Sequence, residues 1–397
     1  MVYTETSSTS WLGRIKNALA GIIIGFILFI AGFPLLWWNE GRSVSVYKTL
    51  SEVRTTLLTI NDNSKIDPAN DGKLVHVSGD TGTPDVLKDA AFNISENAIR
   101  LRRSSEIYQY KERVETRKKK KLGGGEETVK EYHYDKIWAE KPIDSQKFKD
   151  PDYRGKNRGD IPYPSMTFNA KNVNLAAFKL NDSLISDISN FEKYNASSGE
   201  LPPNLPSNTS PHNGGYYLGN APSSPEIGDV RISFTIVRPS NASVIAQQVG
   251  QTFEKYISKA TGRHFEMLKV GIHSADSMID QKEQENKLMT WLLRAGGIFA
   301  MFLGLIFLFK PLSVLGDIVP FIGNLIGSAS AVIAGILAIM FGSMTIGAAW
   351  VAYRPLIGIP LLAITLGCIV MLFMRKKKNV VIPSAVSQAP PPPPPPA

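Results

Sequence analysis

Four stretches of this chain are apolar and long enough to cross a bilayer as helices: residues 18–38, 290–309, 329–352 and 355–374. A hydrocarbon core takes about 20 such residues. Arg294 is the single ionised residue within them, and it sits about one turn inside the second block. A fold that leaves these blocks in water would expose four greasy faces. The sequence therefore predicts a multi-pass α-helical membrane protein with four spans, one N-terminal and three C-terminal. One large extramembrane domain, residues 39–289, lies between the first span and the second. That domain has ample length to bury a core of its own.

Charge follows the same division. The chain carries 44 Lys and Arg against 35 Asp and Glu. Within residues 39–289 the counts are 35 and 33, so the excess belongs to the membrane flanks. That pattern is a topology signature and argues against nucleic acid as a partner. Arg375, Lys376, Lys377 and Lys378 follow the last block directly and place the C-terminus in the cytoplasm. Four spans return the N-terminus to the same side, and the domain is then lumenal or periplasmic. Residues 1–17 read as a disordered cytoplasmic N-terminus, and residues 375–397 as a basic cytoplasmic tail ending in polyproline. Trp37, Trp38, Trp291, Arg294, Trp350 and Arg354 stand at the block ends, where aromatic rings and long cations anchor helices at the interface. A cleaved signal peptide is the competing reading of the first block; its length, Pro34 and the Trp37–Trp38 pair favour an anchor. Gly21 and Gly25 form a GxxxG within it, a spacing that lets helices approach.

Residues 310–328 are apolar but interrupted by Pro311, Asp317, Pro320 and Asn324, and read as an interfacial or re-entrant segment. The domain reads as β-rich α+β with an antiparallel sheet. Ile99–Lys111 and Thr128–Trp138 form a long hairpin with a glycine tip at Gly123–Gly125. Lys73–Val77 and Val230–Arg238 are strands, Ala242–Thr261 has helical spacing, and Ala176–Tyr194 holds a short helix. Ser274 or Ser277 caps a helix that runs on into the second span. The run Arg117, Lys118, Lys119, Lys120 and Lys121 at the hairpin end is a candidate anionic-surface patch.

No pattern of known catalytic mechanics is present: no Walker A loop, no HExxH, no GxSxG. The single cysteine, Cys368, excludes disulfides within the chain and cysteine-based zinc clusters. His133 with Asp135, and His264 with Glu266, are local pairs of two ligands each, short of the three a catalytic metal needs. No catalytic, cofactor or metal residues are assigned. A channel or transport component is the main alternative, and it would use Asn324, Ser328, Ser330, Ser343 and Thr345.

Several stretches, taken in order, resemble the transmembrane protein 43 (LUMA) family. They are Asn39–Glu40–Gly41–Arg42 after the first span, Leu74–Val75–His76, Leu101–Arg102–Arg103 with Glu106 and Tyr108–Gln109, and Tyr134 with Trp138. Gly228–Asp229 with Arg231 and Ser233–Phe234, Thr290–Trp291 with Leu293–Arg294–Ala295, Ala300–Met301–Phe302 with Gly304–Leu305, and Tyr353–Arg354–Pro355–Leu356 complete the set. The likeness covers residues 20–375; the Pro/Ser/Asn-rich segment 197–224 and the polyproline tail depart from it. It implies a non-enzymatic scaffold of the endoplasmic reticulum and nuclear inner membrane that self-associates as a homo-oligomer and holds other membrane proteins in membrane lipid. Family-like proteins occur in bacteria, where the inner membrane and an envelope-organising role replace these.

Overall fold

The structure is a computed structural model, described for residues 3–198, 201–360 and 363–364. Its spine is three long helices: α1 (Trp11–Thr56), α3 (Ala275–Gly316) and α4 (Pro320–Tyr353), with a short α2 (Asp182–Asp187) in the domain. The three are the helices long and apolar enough to cross a membrane among the described residues. The fourth expected block, 355–374, lies largely outside them. Residues 355–360 and 363–364 are helical, so three spans are found where four were expected.

Both α1 and α3 run unbroken from their apolar stretches into the domain. Residues 39–56 are therefore helix rather than loop or sheet, and residues 275–289 form the helix expected to run on into the second span. Ser274 caps α3, its side chain accepting the Ser277 N–H at 3.3 Å. Buried positions recur every seven residues along the seam: Ala18, Gly25, Gly32 and Asn39, then Leu36, Ser43 and Leu50 on α1; Thr290, Gly297 and Gly304 on α3. A seven-residue repeat is the mark of helices packed side by side at a shallow angle. Glycine is required at the closest point: a Cβ on Gly25 would stand 2.7 Å from the Gly304 carbonyl oxygen, and one on Gly304 2.6 Å from that of Gly25. Of the GxxxG pair, Gly25 is in this contact and Gly21 meets only the Phe307 ring. Bulky side chains point outward, with Ile23 67% and Ile336 62% exposed.

Among the described residues the domain is built on two large sheets with a shared core, flanked by two small two-stranded sheets. One runs Tyr3–Thr9, Glu126–Ala139, Arg100–Lys120, Val230–Val237, Gly215–Leu218, Thr209–His212. The other runs Met267–Val270, Asn241–Val249, Thr252–Glu254, Phe178–Lys179, Asn174–Leu175, Leu74–Gly82, Leu58–Thr59, with Asn241–Val249 also paired directly to Leu74–Gly82. Leu101, Ile107, Ile232 and Phe234 of the first pack on Val75, Val77 and Val244 of the second, around Phe92 and Phe253. A second cluster joins the domain to the helices, where Leu50 and Val53 of α1 and Met278 and Ile279 of α3 meet Leu74, Ile245 and Tyr256.

The expected long hairpin and the strand at Val230–Val237 are present. Three expectations are corrected. Residues 242–261 are strands rather than helix, because Asn241–Val249 has partners on both edges and is buried on both faces. Such a strand shows a continuous apolar run in place of alternation. Of residues 1–17, expected to be disordered, residues 3–9 form a strand from Tyr3↔Tyr132 to Thr9↔Glu126, filling the open edge of the hairpin, and residues 11–17 open α1. Residues 310–328 are not a separate re-entrant element. Helix α3 continues through Pro311 to Gly316, and Pro320 opens α4 at the first-turn position that suits proline, leaving a tight turn at 317–319.

Candidate functional site

The Asn39–Glu40–Gly41–Arg42 stretch lies where α1 leaves its apolar segment, on the face turned to α3 and α4. Glu40 is 1% exposed. Arg294 of α3 grips it bidentately, Nε donating to Oε1 at 2.6 Å and Nη2 to Oε2 at 2.8 Å. Trp350 of α4 donates its indole Nε1 to Oε2 at 2.9 Å. One carboxylate thus joins three helices. A buried charge is costly unless its partner and its remaining hydrogen-bonding sites are supplied, and both are supplied here. One turn further, Asn39 Nδ2 donates to the Thr290 carbonyl at 3.0 Å, and Arg42 donates to Asn286 Oδ1 and Thr290 Oγ1, each at 3.1 Å. A Cβ on Gly41 would stand 2.8 Å from the Tyr353 ring, so glycine lets α4 close on α1.

This site gives Arg294 and Trp350 partners within the bundle. Glu40 draws Arg294 inward, with its guanidinium 4.9 Å from the Trp291 ring centroid. The Trp350 N–H likewise points into the bundle. Trp37 tilts against Tyr353 at 5.8 Å, Trp38 and Trp291 are exposed, and Arg354 follows the last turn of α4, its N–H bonded to the Trp350 carbonyl at 2.8 Å. Arg375, Lys376, Lys377 and Lys378 lie outside the described residues. The sequence showed Glu40 as part of a family-like stretch but gave it no role. Its signal was a carboxylate two residues beyond a span end and an arginine just inside another, at matching depth.

A second carboxylate fastens α1 to the domain. Glu52 accepts from Tyr256 Oη at 2.5 Å, Ser258 Oγ at 2.6 Å, and the N–H groups of Lys259 at 2.8 Å and Ala260 at 2.9 Å. The Ser258 and Tyr256 hydroxyls, with the backbone donors, hold its pKa down at about 2.

The far end of the bundle carries a third. Asp317, at the α3–α4 turn, is buried and meets Arg14 of α1 and Lys120 of the hairpin, whose Nζ donates to Oδ1 at 2.7 Å. Trp11 Nε1 donates to the Val314 carbonyl at 2.9 Å, and the Gly123 N–H to that of Ile318 at 3.2 Å.

The basic run is largely paired within the ribbon. Arg117 meets Glu131 at 3.5 Å, Lys118 meets Glu126 at 3.2 Å, Lys121 meets Glu127 at 3.2 Å, and Lys119 is exposed. Strand pairing explains this, since a cation-rich strand lies opposite a Glu-rich one. His133 is placed with Glu115 and Glu131, ligand atoms within 4.8 Å of one another, rather than with Asp135; both carboxylates are already bound by Arg113 or Arg117. His264 is exposed in a two-residue strand, while Glu266 turns inward to accept from Asn181 Nδ2 at 3.0 Å, so these two do not act together. Of the polar residues named for a conducting path, Ser328 and Thr345 return their hydroxyls to the Asn324 and Phe341 carbonyls of their own helix.

Three long apolar helices, clamped by a buried ion pair and carrying a two-sheet domain, define a multi-pass membrane protein. The family model for transmembrane protein 43 matches residues 107–355, more than half of the chain, and the chain belongs to that family. Transmembrane protein 43 of Rattus norvegicus is 29% identical over 384 residues, covering 93% of this chain and 92% of its own length. The Homo sapiens protein is 29% identical over 372 residues, with 89% and 90% covered, and the Drosophila melanogaster homolog 28% over 348, with 86% and 90%. No solved structure matches.

Proposed function

We propose that this protein is a non-enzymatic scaffold of an endomembrane. In a eukaryotic cell the membrane is that of the endoplasmic reticulum and nuclear envelope; in a bacterium it is the inner membrane. It self-associates and presents its domain to other membrane proteins. The observation that carries this reading is the mechanical continuity of the molecule. Helices α1 and α3 enter the domain without a break, Glu40 clamps them to α4, and Glu52 pins α1 to the loop 258–260. A transporter needs repeats that rock against each other about a central site. A post fixed at both ends suits a platform that holds partners at a set position.

The test is co-purification. Two differently tagged full-length copies, expressed together and solubilised in mild detergent, are expected to be recovered as one complex at a multiple of 43.6 kDa. Recovery of each tag alone, at the mass of one chain plus detergent, overturns self-association.

A further inference from the structure

The hairpin places charged chain at the depth where the helices are apolar. Helix α1, with 46 residues, is ~69 Å long at 1.5 Å per residue. The ribbon strand Arg100–Lys120, with 21 residues, is also ~69 Å long at 3.3 Å per residue. Both leave the same domain, and they meet again at the opposite end through Lys120–Asp317, Gly123–Ile318 and the neighbouring Arg14. They are the long sides of a narrow triangle. Ala18–Trp38 of α1 therefore stand level with the outer half of the ribbon.

That half is not compatible with lipid. Strand alternation and the pairing Glu115↔Glu131 put Arg113, Glu115, Arg117, Glu131, His133 and Asp135 on one face. The other face carries Val114, Tyr132 and Tyr134 together with Glu112, Lys118 and Lys130, and it turns toward the bundle, since Lys120 on that face reaches Asp317. The loop around Tyr153 and Asn157 covers part of it and adds more polar chain. Both outer edges are open. Among the described residues no strand pairs with Glu112–Lys120 on the side away from Glu126–Ala139, or with Tyr3–Thr9 on the side away from Glu126–Tyr132. Unpaired backbone and ionised side chains are both costly in hydrocarbon, and β-structure crosses a membrane only when its edges are closed.

We infer that the ribbon crosses the membrane beside the three helices, inside a cyclic assembly of copies of this chain. In it the Tyr3–Thr9 edge of one ribbon pairs with the Glu112–Lys120 edge of the next. This rests on the self-association proposed above and names its surface. Both strands run toward the tip, so the contact is parallel and head-to-tail, the type that closes into a ring. Closure removes every open edge and turns the ionic face inward to water. Charge permits the contact: Tyr3–Thr9 carries Glu5 as its one charge and brings no cation to the basic Arg117–Lys120 edge. Arg14, Lys16, Lys310 and the ribbon tip gather at one end of the bundle, as cations do on the cytoplasmic side.

Two experiments on the full chain, with Cys368→Ala as background, test this. Lys119→Cys and Ser223→Cys are each treated with a membrane-impermeant maleimide in sealed, oriented vesicles. Labelling from opposite faces is expected, with position 119 on the face of the N-terminus. Labelling of both from one face overturns the crossing. Next, Thr6→Cys is combined in turn with Glu115→Cys, Arg117→Cys and Lys119→Cys. Thr6 and Arg117 of one chain both flank Val129, about two strand spacings or roughly 10 Å apart, too far for a disulfide. A disulfide between these edges thus joins two chains. At least one pair is expected to yield a ladder of covalent multimers on mild oxidation, with each single variant yielding none. Copies that co-purify but form no ladder in any register overturn the edge pairing and leave the scaffold reading standing. Copies that do not co-purify overturn both.

Discussion

Two of the buried carboxylate–guanidinium pairs, Asp89–Arg103 and Glu40–Arg294, sit in opposite surroundings. In the domain, Arg103 Nη1 donates to both oxygens of Asp89, at 2.8 and 2.7 Å, beside the Phe92 ring. Phe92 in turn packs on Tyr163, Tyr216 and Phe234. In the helices, Glu40–Arg294 sits above a seam of glycines, and the large side chains face outward. The domain is drawn together by removing apolar surface from water, and its ion pair is set into an interior that would form in any case. The helices gain nothing comparable from lipid, which is as apolar as they are. Their assembly rests on close backbone approach and on the polar contact itself. The same chemistry is an inset in one region and a fastening in the other.

The largest expected effect separates these roles. Glu40→Ala leaves Arg294 buried and unpaired, at a cost of about 3–5 kcal/mol. The helices should come apart in detergent while the domain keeps its own cooperative melting. Asp89→Ala, with a similar cost of about 3–5 kcal/mol, should lower the domain's Tm and spare the helix association. Calorimetry with cross-linking between α1 and α3 reads both. If Glu40→Ala melts the domain as well, the division into two regions is wrong.

Overpacking the seam comes next. Gly304→Leu forces a side chain onto the Gly25 backbone and should destabilise by about 1–3 kcal/mol or more, read as lost cross-linking between α1 and α3. Leu101→Ala in the domain core leaves a cavity, costs about 2–5 kcal/mol and should not alter that cross-linking.

Smaller effects follow pH. The Glu52 pKa lies at about 2, below its unfolded value of 4.5. Its stabilisation is fully present above pH 4.5 and is lost as pH falls from there toward 2. The Tm gap between the native protein and Glu52→Gln should therefore close across that window; a constant gap contradicts the arrangement at Ser258 and Tyr256. Burial pushes His76 below its usual value of 6.5. Nε2 lies 3.0 Å from the His273 carbonyl and fits a donor, while Nδ1 has no partner among the described residues. The neutral form stabilises the domain above pH 6.5, and that contribution fades as pH falls below it. His76→Gln should flatten the Tm profile as pH falls below 6.5, and an unchanged slope would remove His76 as its source.

The same contrast explains what was legible in the sequence. Apolar blocks, the glycine-tipped hairpin and the strand at Val230–Val237 announce themselves through local composition and alternation. Asn241–Val249 did not, because burial on both faces erases the period of two that marks a strand. The N-terminal strand was hidden too: Tyr3–Thr9 is polar, and only a distant open edge at Glu126–Tyr132 orders it. At the site, Arg294 was visible as an oddity inside a span, but its partner lies 254 positions away on another helix. Charge at matching depth was the available clue; the seven-residue repeat of Gly25, Gly32, Gly297 and Gly304, which the GxxxG spacing of Gly21 and Gly25 did not reveal, emerges only from the packed helices.

The most direct test of the central claim, that Glu40 and Arg294 fasten the helices to one another, is a charge exchange. Glu40→Arg, Arg294→Glu and the combined reversal are compared by the fraction of full-length protein cross-linked between α1 and α3 and by Tm. Each single reversal should abolish association by placing like charges together. The double reversal should restore much of it, with a coupling of about 0.5–3 kcal/mol, short of full recovery because Trp350 loses its acceptor. Single reversals that associate normally, or a double reversal no better than either, would contradict the account.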